Sequence, residues 1–358
     1  MPSLKEIKGR INSISSTLAI TSAMKMVAAA KLQKAQMAIQ NMLPYERRLY
    51  SMLLDLMGAM NISAAASEDG SVRGSGSAER GFDQSGDRLS LSNRHDLAGM
   101  DGAYSLMAQR EVRKVAIVAF ASNSSLCGAF NSNAIREATA VINEYRASGL
   151  RDSDIVVYSV GRKMAEAMRK LGFPSPADFT KMSDSPSYEA ASALAQELLD
   201  GFVSGRFDKV ELVHNHYKST SSQPTTRQTY LPLSLADATA DLQAGKIADS
   251  ASESDTNRGA DPVGAPVVRQ GSPTTEDLIV EPSKEALIAT LLPKVIRLRI
   301  FTTLLDSAAA EHAARTVAMQ LATDNGNDLL QELTLEYNKG RQQKITSEIL
   351  DLVGGSMQ

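Results

Sequence analysis

The chain has 358 residues, 43% of them hydrophobic, and a net charge of -3. That length suffices for two structural units, and the near-balanced charge excludes the strongly basic footprint of a nucleic-acid binder. Its single cysteine, Cys127, excludes an intrachain disulfide or dithiol switch and fits a reducing compartment, while the lack of any run of 18 or more apolar residues predicts no direct membrane insertion.

No secretory h-region or Arg/Ser-rich presequence opens the chain, so we expect no targeting segment ahead of the fold. Residues 1–60 read as one long coiled-coil helix. Positions 4, 7, 11, 14, 18, 21, 25, 28, 32, 35, 39, 42, 46, 49, 53 and 56 keep heptad spacing, and all are apolar except Thr21, Lys25 and Glu46. At 1.5 Å per residue such a helix extends about 80 Å, so it needs an equally long partner. Its first 40 residues carry Lys5, Lys8, Arg10, Lys25, Lys31 and Lys34 against Glu6 alone, which suits an acidic partner surface or a solvated face. Pro44 removes a backbone donor and should bend or restart the helix.

Residues 61–111 read as a flexible insertion, with SEDGSVRGSGSAERGFDQSGDR as its low-complexity centre. Residues 112–235 alternate strands and helices. VRKVAIVAF, DIVVYSVG, KVELVHNHYKS and QTYLPLS read as strands; the stretch ending near Ala147, GRKMAEAMRKLG and SYEAASALAQELLDGFVSG read as helices. This predicts a small Rossmann-like α/β domain with a mainly parallel sheet. Residues 236–282 form a second flexible insertion. Residues 283–358 supply the missing partner helix, with Ser283 as an N-cap, Pro293 as a second point of bending or restart, and a seam through Leu291, Val295, Leu298, Leu305, Ala309, Met319, Leu330, Leu333 and Tyr337. Thr302, His312, Thr316, Thr323 and Gly326 interrupt that seam, costing stability while fixing alignment. The fold class is therefore α/β: a long antiparallel coiled coil of the N- and C-terminal helices with an inserted Rossmann-like domain.

Enzymatic chemistry finds little support. The loop ASNSSLCGAFN stands where a doubly wound fold places its phosphate turn, but it has one glycine and neither phosphate-binding pattern. Cys127 has no paired base. His214 and His216 alternate on a strand and could share a face, yet no further ligand stands nearby in sequence. Thr225 and Thr226, with Ser219 to Ser222, read as a polar turn. We expect no catalytic, cofactor-binding or metal-binding residues. The residues alone leave open a shaft with a globular end, a coiled-coil adaptor or, less favoured by the missing glycines, a Rossmann enzyme.

The segments KEIKGRINSISSTLAITSAMKMVAAAKLQKAQ and EHAARTVAMQLATDNGNDLLQELTLEYNKGRQQKITSEILDLVGG resemble the N- and C-terminal helices of the gamma subunits of F-type ATP synthases. SLCGAFN and DLIVEPSKEALIATLLPKVI resemble two internal segments of the same family. The resemblance implies a non-catalytic rotor shaft turning inside a head of alpha and beta subunits, attached with an epsilon subunit to the membrane c-ring, at the cytoplasmic face of a bacterial plasma membrane. It further implies that Arg341 and Gln342 hydrogen-bond to head loops, with Thr346 and Glu348 in the same region. Met24 and Arg315 would lie where the beta subunits' acidic lever passes, and Ile349, Leu352 and Val353 would sit in the bearing sleeve. The chain departs from the family pattern at Asn123-Ser124-Ser125 and in both insertions.

Overall fold

The computed structural model describes residues 3–59, 106–233, 281 and 284–355. The insertion expected at 61–111 lies outside the described residues up to 105, that at 236–282 lies mostly outside them, and so does the Ser283 cap.

Two helices dominate the described chain: α1 (Leu4–Ala59) and, at the other end, α6 (Lys284–Gly355) of 72 residues. Every position of the predicted N-terminal seam is buried or half-buried. Across it the polar interruptions of the two helices find one another. Thr302 Oγ1 donates to Glu46 Oε1 at 3.1 Å, and Thr323 Oγ1 donates to Thr21 Oγ1 at 3.2 Å. These pairings tie the half-buried polar groups of the two helices at one register, while Thr302 and Thr323 also reach back to the Arg299 and Met319 carbonyls of their own helix.

Neither proline restarts its helix: α1 runs through Pro44 and α6 through Pro293. A mid-helix proline costs about 3 kcal/mol in isolation. Here Leu49 and Leu53 follow Pro44, and Ile288, Leu292, Val295 and Ile296 flank Pro293, all buried in one cluster. Burying such side chains contributes about 1.5–3 kcal/mol each, which is enough to hold both turns in place.

Between the long helices lie β1 (Val115–Phe120), α2 (Phe130–Ala147), β2 (Ile155–Val160), α3 (Arg162–Lys170), the short α4 (Thr180–Asp184), α5 (Tyr188–Val203), β3 (Lys209–Asn215) and β4 (Thr225–Leu231). The sheet order is β2-β1-β3-β4, parallel except for the antiparallel β3–β4 pair. Thr225 and Thr226 therefore belong to β4 and not to a turn. An edge strand needs no apolar alternation on its outer half, so TTRQ gave no period-2 signal. The five-residue α4 is likewise too short to show a helical period.

β1 is apolar at every position because both faces are covered. Val115, Ile117 and Ala119 pack against Ala134, Ala138 and Val141 of α2 and Met164 and Met168 of α3. Ala116, Val118 and Phe120 face the opposite way, into a cluster shared by Leu194, Leu198 and Phe202 of α5, Leu49 and Leu53 of α1, and Leu292 and Ile296 of α6. The base of the shaft is thus a layer of the α/β domain, sharing its core. Tyr188 of α5 meets Phe301 of α6 edge-to-face at 5.8 Å, extending the same interface.

Candidate functional site: the shaft and its overhang

Helix pairing ends where α1 begins. A Cβ on Gly340 would stand 3.1 Å from Leu4 Cδ2 at the start of α1, and residues 341–350 are all exposed. The remaining 15 residues of α6, from Arg341 to Gly355, overhang by about 22 Å as a single helix. Their apolar side chains are exposed: Ile345 is 48% exposed, Ile349 55%, Leu350 64%, Leu352 74% and Val353 53%. A contiguous apolar cluster left in water at a helix end is a candidate docking surface. Arg341 and Gln342 are exposed beside it. Thr346 Oγ1 donates back to the Gln342 carbonyl at 2.9 Å, and Glu348 pairs with Lys344 at 3.7 Å.

Met24 and Arg315 lie elsewhere, within the paired stretch. Some 26 residues separate Arg315 from Arg341, about 40 Å along the helix. Met24 is half-buried on α1. The Arg315 guanidinium is already engaged: Nη1 pairs with Glu311 Oε1 at 2.7 Å, and Nη2 donates to Ser124 Oγ at 2.7 Å. Burial pushes the Glu311 carboxyl up, and the adjacent Arg315 opposes that rise. Burial, reinforced by Arg315 and Lys31, holds His312 down at about 4, so the ring is neutral at ordinary pH.

The loop after β1 is closed on itself. Asn131 Oδ1 accepts from the Ser122 N–H at 3.0 Å, and Asn131 Nδ2 donates to the Ser124 carbonyl at 3.1 Å. Side chains of the loop thus occupy the amide that a phosphate would need at such a turn. Asn123 and Ser124 are anchors here. Asn123 Oδ1 accepts from the Arg162 N–H at 2.8 Å, its Nδ2 donates to the Thr180 carbonyl at 2.7 Å, and Ser124 receives Arg315. Gly161, at φ +98°, lets the end of β2 close on this loop, since a Cβ would stand 2.0 Å from the Ala121 carbonyl oxygen.

His214 and His216 do share a face, and a third residue joins them: Asp306 of α6, whose Oδ2 lies 3.4 Å from His214 Nε2 and 2.8 Å from His216 Nδ1. Nothing in the sequence linked residues 90 apart. Among the described residues no group of three or more His, Cys, Asp or Glu is arranged to hold a metal ion.

A family model described as ATP synthase matches residues 3–357. ATP synthase gamma chains of Phocaeicola vulgatus and Flavobacterium johnsoniae are 46% identical over 357 residues and 35% over 356, and each alignment covers at least 98% of both chains. The chain belongs to the ATP synthase gamma family. Membership makes it the gamma, or rotor, subunit of an ATP synthase. The fold agrees: a chain from the Euglena gracilis mitochondrial ATP synthase superposes with a TM-score of 0.52 at 18% identity, covering 99% of this chain and 93% of that one. No described helix is long and apolar enough to cross a membrane.

Proposed function

We propose that the chain is a non-catalytic torque shaft whose bare helical overhang seats in the catalytic head. The observation that carries this reading is the exposed apolar tip standing clear of a tightly paired coiled coil. Ile349, Leu352 and Val353 line the sleeve; Arg341, Gln342, Thr346 and Glu348 hydrogen-bond to the loops that rim it. Lower down, Met24 and the basic face of α1, with Lys5, Lys8, Lys31 and Lys34 exposed, meet an acidic lever on the beta subunits. Arg315 acts through Ser124, locking the α/β domain to the shaft at the height where that lever passes. The globular end, with the epsilon subunit, rides on the c-ring at the cytoplasmic face of a bacterial plasma membrane. Because the paired shaft is asymmetric, each rotational angle favours a different set of conformations in the head.

The test is affinity purification of a tagged full chain and of one ending at Gly340, from native membranes, with ATPase and proton-pumping assays on the eluate. The full chain should bring down an active catalytic head and ring subunits, and the shortened chain should lose coupling. A full chain that emerges alone, or a shortened chain that couples normally, refutes the reading.

A further inference from the structure

The α/β domain meets the shaft at a carboxylate. Asp306 of α6 is aimed at the end of β3, where three groups from residues 214–217 converge on it. The Tyr217 N–H donates to Oδ1 at 3.0 Å, His216 Nδ1 stands 2.8 Å from Oδ2, and His214 Nε2 stands 3.4 Å from the same oxygen. The Tyr217 hydroxyl in turn accepts from Gln36 Nε2 of α1 at 2.7 Å, so one short stretch of chain touches both helices of the shaft. The Asp306 and His214 side chains are 18% and 4% exposed, whereas His216 is 52% exposed and open to protons from solvent.

We propose that Asp306, His214 and His216 form a pH-sensitive clamp that holds the exit of β3 against the shaft and tightens as pH falls through neutrality. A charged imidazole on an ionised carboxylate is a stronger hydrogen bond than a neutral one. The bond to Asp306 raises the His216 pKa above its ordinary value, with burial and Lys218 opposing. Burial alone would raise Asp306, but the bonds to His214 and His216 outweigh it and hold the carboxyl at about 2. A raised histidine contributes fully below its ordinary pKa, and the contribution is lost as pH rises through the raised one. Asp306 stays ionised throughout that window.

The surroundings leave His216 as the titrating element. His216 borders a cavity of about 700 Å³ whose other charged groups are Glu46 and Arg47 of α1, Arg299 of α6 and Lys218 beyond β3, while β4 contributes only Thr226 and Gln228. None of those residue types ordinarily titrates between pH 5 and 8.

Hydrogen–deuterium exchange on the purified full chain tests the clamp at about pH 6 and about pH 8, with labelling times scaled for the intrinsic rate. Peptides covering 209–218 and 300–310 should be several-fold more protected at the lower pH, relative to β1 as an internal reference. His216→Gln keeps a donor but no titratable charge. It should abolish that difference while leaving protection at the higher pH in place. Asp306→Asn should lower protection at both. An unchanged pH difference in His216→Gln, or none in the parent chain, overturns the proposal, and neither result depends on Asp306→Asn folding.

Discussion

Gly326 of α6 lies against Leu18 of α1 so closely that a Cβ would stand 2.6 Å from Leu18 Cδ2 and 3.2 Å from its Cγ. A glycine in mid-helix costs about 1 kcal/mol of propensity, so the seam gives up stability here for a close approach. Gly326→Ala sets that regained propensity against displacement of a half-exposed leucine that can swing aside, and the net change should stay under about 1 kcal/mol. Gly326→Leu cannot be relieved by a rotamer change and should cost about 1–3 kcal/mol. Adding Leu18→Ala should recover part of that loss, a coupling readable in a double-mutant cycle by urea denaturation.

Removal of residues 341–358 separates stability from function. The side chains from Arg341 to Leu350 are exposed, so the unfolding free energy should match the full chain's within about 0.5 kcal/mol while coupling disappears. Thermal denaturation of both chains checks this; a large fall in stability would mean that the overhang supports the pair below it.

Glu211 is buried on β3, yet it accepts from Arg227 at 2.7 and 3.1 Å, from Lys209 at 2.7 Å and from the Tyr145 hydroxyl at 2.6 Å. Burial acts to raise its carboxyl, and these partners together bring it below the ordinary value. A depressed carboxylate stabilises above its unfolded pKa, and that stability is lost as pH falls through the folded one. Arg227→Met removes the bidentate partner and leaves Lys209 and Tyr145. We expect a loss of about 2–3 kcal/mol at neutral pH and acid unfolding at a higher pH, followed by circular dichroism.

His312 works in the opposite sense. Its depressed pKa means that the unfolded chain takes up a proton near 6.5 and the folded chain only near 4, so stability declines as pH falls across that interval. His312→Gln should flatten the decline by about 1–2 kcal/mol, the shift being discounted for the ring's partial exposure. Urea denaturation at several pH values between 4 and 7.5 measures it.

The shaft was legible because a heptad seam is local: each position from Leu4 to Leu56 declares its face through neighbours three and four residues away, and the structure buries or half-buries all of them. The same holds for β1, whose unbroken apolar run requires cover on both faces. Long-range polar pairings left no such trace. Nothing local ties Asp306 to His216, Arg315 to Ser124 or Glu46 to Thr302, since a hydrogen bond across 90 to 256 residues imposes no period on the chain. The continuity of both helices through Pro44 and Pro293 was hidden for a related reason. Propensity reads each turn alone, whereas the core beneath it is assembled from distant elements.

The end of pairing at Leu4 and Gly340 also changes the cross-section of the rod. Two helices side by side, each about 10 Å across, make an oblong of about 10 by 20 Å, whereas the overhang is a near-round pin. A round pin can spin in a close socket without disturbing its wall, but an oblong cannot turn in a close-fitting cavity without pushing that wall outward and letting it fall back. On the proposed reading the overhang is an axle and the paired stretch of α1 and α6 below it a cam, and the change from one to the other occurs within a single helical turn.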